Sequence, residues 1–117
     1  MLTRDIVITV SSCVGMQLSI KCENAKSYCM YYPYRAKELS PISRDDYIEG
    51  VAKSATWRIL KEQTEIPAAV LPSSVSETIK NVIYNMVRAM HLVDDIVELR
   101  AIVSLSIYED YVIEDDN

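Results

Sequence analysis

The chain has 117 residues, half of them apolar and a quarter charged, with a formal net charge of −5 and a mean hydropathy of +0.04. That composition fits one globular domain able to bury its own core and is too hydrophobic for intrinsic disorder. No apolar run approaches the roughly 18 residues that span a bilayer, and two glycines cannot build the Gly-rich loops that cradle phosphates.

The first element expected is a strand at residues 5–10, DIVITV, followed by a serine and glycine turn at 11–15 and a second strand at 16–23. In the second, Met16, Leu18, Ile20 and Cys22 alternate with Gln17, Ser19, Lys21 and Glu23, a period of two with one wet face. Val10-Ser11-Ser12-Cys13 resembles a lipoprotein cleavage box, but its apolar run is too short and Asp5 interrupts the basic region, so no export signal is expected. Cysteines at 13, 22 and 29 make no Cys-x-x-Cys pair. Their odd number points to reduced thiols and a cytoplasmic setting, with a Cys13–Cys22 bridge across the hairpin as the minority alternative.

The stretch KSYCMYYPYR, 26–35, is expected to be a third strand, in which Tyr28, Met30, Tyr32 and Tyr34 share one side and Cys29 and Tyr31 the other. Pro33 confines it to an edge. The tyrosine side is read first as a core face or an amphipathic rim. With Lys26, Arg35 and Lys37 around it, it also resembles the aromatic and basic surface used for single-stranded nucleic acid.

A helix over 43–63 follows, with Ser43 as its cap and a stripe of Tyr47, Ile48, Val51, Ala55, Ile59 and Leu60. Gly50, inside it, suggests close approach of another element. Trp57 lies off the stripe, directed to a second layer or a partner, or else laid against the stems of Lys53 or Lys61. Two prolines break the helix at 65–74. Ser74 and Glu77 then have capping-box spacing before the most regular pattern in the chain: Val75, Ile79, Val82, Met86, Met90 and Val93, widened by Ile83 and Val87. So broad an apolar face predicts cover on more than one side, by the sheet and by either the first helix or a second subunit, and its surplus over a thin three-stranded sheet points to an interface.

Residues 95–113 admit two readings. Asp95 and Glu98 could start a third helix carrying Ile96, Leu99, Val103 and Ile107 on one face. Against this, Val103, Leu105 and Ile107 alternate with Ser104, Ser106 and Tyr108. The favoured reading is a helical start near 95 that gives way to a strand from about 102.

Charge is uneven: residues 1–93 sum to +2 and residues 94–117 to −7. The acidic end, with Glu109, Asp110, Glu114 and Asp115, is either a solvating fringe or a surface for a basic partner, and it disfavours nucleic acid.

Catalytic constellations are sparse. A single histidine, His91, has no ligand partners at metal spacing, and a thiol enzyme would need it to meet Cys13, Cys22 or Cys29 through the fold. Neighbouring carboxylates such as Asp45 and Asp46 sit where capping explains them. The expectation is therefore an α+β domain, an N-terminal three-stranded antiparallel sheet packed by two or three helices with a C-terminal strand or helix. Its expected role is that of a non-enzymatic, cytoplasmic binding or regulatory protein with no cofactor or metal. It would act through protein contacts as a homo-oligomer, with Trp57, Tyr28, Tyr32, Tyr34, Glu109, Asp110, Glu114 and Asp115 as partner-binding candidates. The alternatives are an acidic nucleic-acid mimic that inhibits a basic protein, and a weak single-strand binder using the tyrosines.

Overall fold

The structure, a computed structural model, describes residues 2–13, 17–23, 29–31, 41–92 and 96–108, with side chains at all of these except 13, 17, 29–31, 41–43 and 68. Four strands, β1 (Leu2–Cys13), β2 (Gln17–Cys22), β3 (Cys29–Tyr31) and β4 (Glu98–Ile107), form one antiparallel sheet in the order β3-β2-β1-β4. Helices α1 (Pro41–Arg58) and α2 (Ser74–Leu92) lie against one face of it, α2 over β1 and β4 and α1 towards β3. The fold is α+β, as the sequence predicts.

The register explains which residues meet. Ile8 and Val10 of β1, Leu18, Ile20 and Cys22 of β2, and Val103, Leu105 and Ile107 of β4 are buried on the helix-covered face. Thr3, Asp5, Val7 and Thr9 alternate with them on the reverse face, opposite Ser106, Ser104, Ile102 and Arg100 of β4. From the helices, Ile48, Val51, Ala55 and Ile59 meet Ile79, Ile83, Val87 and Met90 over this sheet face, so both expected stripes line the core as far as they are described, Val93 lying outside the described residues. Tyr47 and Leu60 sit at its margin, only partly buried.

Several expectations are corrected. Ser11, Ser12 and Cys13 belong to β1, paired with Ser19, Leu18 and Gln17, because nothing in them stops the ladder. Cys22 stands opposite Ile8, five positions along β1 from Cys13. A Cys13–Cys22 bridge is therefore ruled out by roughly 17 Å of strand. In β3, Cys29, Met30 and Tyr31 pair with Ile20, Ser19 and Leu18, while Tyr28, Tyr32 and Tyr34 lie outside the described residues.

α1 begins at Pro41, whose fixed φ suits a first helical position, two residues before the expected Ser43 cap. Its last turn, Ile59–Gln63, widens to π geometry, closed by Thr64 N–H donating to Ile59 O at 3.0 Å. Gly50 is exposed, and a Cβ built on it would meet nothing within 4 Å, so no element among the described residues approaches it closely. Ser74 is the first residue of α2 and not its cap, and Glu77 pairs instead with Lys80 at 3.0 Å.

No helix begins near 95 in the described residues. Ile96 and Val97 are irregular and β4 runs from Glu98, so the alternating pattern holds from four residues earlier than expected.

α2 also revises one inference. Its apolar circumference is enclosed within the chain: Val75, Ile79, Ile83, Met86, Val87 and Met90 are buried and Val82 partly so. The fourth strand and α1 supply the extra cover that a three-stranded sheet would lack.

Candidate functional site

Apolar surface is exposed elsewhere. Trp57 leaves the outer side of α1 with 55% of its area in solvent, because it lies off the stripe that faces the sheet. Lys61, one turn later, places its ammonium 5.2 Å from the indole centroid, a cation–π contact of about 0.5–1 kcal/mol at such an exposed position. Of the two directions considered for Trp57, the lysine contact is thus observed for Lys61, while most of the ring remains available.

Trp57 forms one wall of a groove of about 440 Å³ between the outer sides of α1 and α2, whose floor includes Thr56 and Leu60 and whose far wall is Ser76, Glu77 and Lys80. Thr56 adds no unsatisfied hydroxyl to the floor, since its Oγ1 donates to Ala52 O at 2.7 Å. The groove continues past Leu60 and Ser76 into a smaller hollow of about 180 Å³ bounded by Leu71, Pro72 and Val75.

Rim charges are sorted by geometry. Lys80 Nζ lies 3.2 Å from Glu49 and 3.0 Å from Glu77, which raises its pKa chiefly through those hydrogen bonds and leaves its charge spent on tying α1 to α2. Among the described residues no carboxylate lies within ion-pair distance of Lys53 or Lys61. The groove is therefore an apolar trough with two uncompensated positive charges on one bank.

Two other places were candidates. A cleft of about 200 Å³ beside the π turn is bounded by Arg4, Asp5, Glu23, Gln63 and Glu65. Its polar groups engage one another: Arg4 reaches Glu65 at 3.9 Å, and Gln63 Oε1 accepts from Cys22 N–H at 2.8 Å. His91, at the end of α2, is 8% exposed and lies against the Tyr47 ring, centroids 5.9 Å apart. Burial lowers its pKa, outweighing the helix C-terminus, which favours the charged form. Neither ring nitrogen has a hydrogen-bond partner among the described residues, so a Cys22–His91 dyad is not formed. The side chains of Cys13 and Cys29 lie outside the description.

Near His91, burial raises the Tyr84 pKa, with the Asp45 carboxylate adding to it. Asp45 of α1 thus acts on Tyr84 of α2 across this end of the seam, as Glu49 meets Lys80 in the middle.

Of the partner-binding residues expected from sequence, only Trp57 falls within the description. Tyr28, Tyr32, Tyr34, Glu109, Asp110, Glu114 and Asp115 lie outside it. Leu60, Lys53, Lys61 and Leu71 enter as new groove residues. The four-residue spacing of Trp57 from both Lys53 and Lys61 was the available signal; Leu60 and Leu71 as groove residues need two helices side by side.

Comparison with known proteins adds no relative: no protein-family model, curated protein or solved structure matches the chain.

Proposed function

We propose that the chain is a non-enzymatic binding protein that works through protein contacts and self-associates, and that the Trp57 groove seats a segment of a partner protein. The observation that supports this is the exposed indole over an apolar trough with Lys53 and Lys61 on its bank. Aromatic anchors beside apolar pockets are where interface energy concentrates, and groove-binding helices are read by apolar residues at helical spacing. The bank charges select a segment whose apolar face is flanked by acids.

Trp57 is the only tryptophan, so its emission reports the groove directly. A synthetic amphipathic helix of leucine and glutamate should shift that emission to the blue saturably, and a leucine and lysine peptide of the same length should not. Equal response to both peptides, or none to either, would overturn the assignment.

A further inference from the structure

Among the described residues the sheet leaves β4 at its edge, and the backbone geometry says which groups that edge offers. Ser12 N–H donates to Val97 O at 2.9 Å, and Glu23 N–H donates to Val7 O at 2.7 Å. In antiparallel pairing, hydrogen-bonded pairs recur at every second residue. Even-numbered β1 residues therefore turn their backbone groups to β4 and odd-numbered ones to β2. Along β4 the odd-numbered residues bond to β1, and Glu98, Arg100, Ile102, Ser104 and Ser106 direct N–H and C=O outward. Tyr108 fits the same parity: its outward N–H donates to Val70 O at 3.1 Å, which closes the edge at that point.

The side chains do little to guard this edge. β4, ELRAIVSLSI, has no proline or lysine, and its last seven residues carry no charge. Edge strands are usually protected by such residues. At its centre Ile102 is 70% exposed, the most exposed of the large apolar side chains among the described residues.

We propose that β4 pairs antiparallel with β4 of a second copy, making one continuous eight-stranded sheet with Ile102 on the two-fold axis. This deepens the reading of a self-associating protein and rests on it, while leaving the groove outside the interface. The register follows from three constraints. A two-fold axis normal to the sheet keeps both helix layers on one side, so even-numbered residues must face even-numbered ones. Only Ile102 opposite Ile102 matches all five outward residues: Glu98 with Ser106, Arg100 with Ser104, and their symmetry mates. Sliding the partner two residues towards Tyr108 would bring Glu98 of the second copy against an N–H that Val70 already occupies.

Charge agrees with this register. Ser104 Oγ donates to Asp5 Oδ1 at 2.6 Å on the reverse face. Arg100 of the second copy would lie beside Ser104, two strand spacings or about 10 Å from Asp5 and within an arginine's reach. Its present partner, Glu23 at 3.3 Å, is an exposed pair that is readily exchanged. On the covered face, α2 rests over β1 and β4, so the two copies of α2 would run about 10 Å apart, an ordinary helix packing distance.

Sedimentation equilibrium of the full chain from low micromolar to millimolar concentration tests this. The wild type should sediment as a dimer at the upper end. Ile102→Lys, which sets like charges face to face on the axis, should weaken dimerisation by roughly 100-fold or more. Ile102→Thr, which keeps strand propensity should the lysine variant misfold, should weaken it by about tenfold. Val97→Lys, exposed but beyond the paired stretch, and Trp57→Ala should leave the dimer intact. A wild type that stays monomeric throughout, or a dimer lost on Trp57→Ala and kept in Ile102→Lys, would overturn the proposal. Response of Trp57 to the leucine and glutamate peptide in monomeric Ile102→Lys keeps the groove reading separate from the dimer.

Discussion

α2 and β4 reverse what their sequences advertise. α2 holds the broadest apolar pattern in the chain, yet its wide face is enclosed by the sheet and α1. β4 is diluted with serine on alternate positions, yet it ends at the sheet margin with Ile102 in solvent. The quantity of apolar sequence thus does not say which surface stays exposed; position in the strand order does. The face of α2 finds its cover within the chain, from the sheet and α1, whereas an edge strand keeps a row of outward backbone groups that another strand can pair.

Removing the same kind of side chain from the two regions should separate them, beginning inside. Ile83→Ala, fully buried on α2, should cost about 2–5 kcal/mol in denaturant unfolding of the monomer, through lost transfer energy and the cavity left behind. A cost below about 1 kcal/mol would mean that α2 is not enclosed as described.

A second effect lies at the far end of α2. His91 has a folded pKa below its ordinary 6.5, so as pH falls the unfolded chain takes up a proton before the native one does. Stability is then fully present above about pH 6.5 and is lost as pH falls towards the lowered value, by at most about 1.4 kcal/mol per pH unit. Urea midpoints across this range should show the slope in the wild type and a shallower one in His91→Leu. Equal slopes would place the imidazole in water.

Gly50→Ala sharpens the contrast on α1. The position is helical, exposed and empty around the added methyl, so the substitution should raise stability by roughly 0.5–1 kcal/mol. A loss instead would show that something packs there. Smallest of all, Ile102→Ala measured under dilute, monomeric conditions should change unfolding by no more than about 0.5 kcal/mol, because the side chain has little protein around it to lose.

Much of this architecture can be read along the chain. Alternation at Leu18, Ile20 and Cys22, the stripe from Ile48 to Ile59, and the face from Val75 to Met90 each specify an element and the side it buries. β4 was harder for a definite reason: Leu99, Val103 and Ile107 are spaced by four, a step that serves both a helix face and one side of a strand. Local pattern cannot choose between them; the pairing of Glu98–Ile107 with Leu2–Ser11, about a hundred residues away, does. Strand order is a long-range fact, so the exposed edge at Ile102 was invisible. The π turn after Arg58 and the empty space around Gly50 likewise depend on neighbours. Trp57 could be singled out because it breaks a stripe, while Leu60 and Leu71 become groove walls only once α1 and α2 are side by side.

Amide hydrogen exchange along β4, followed in the wild type at low and at high protein concentration, tests the edge most directly. The account predicts protection of Leu99, Ala101, Val103 and Leu105 at both concentrations, and of Arg100, Ile102, Ser104 and Ser106 only at the higher one. Exchange at those four even-numbered amides that does not change with concentration would contradict it.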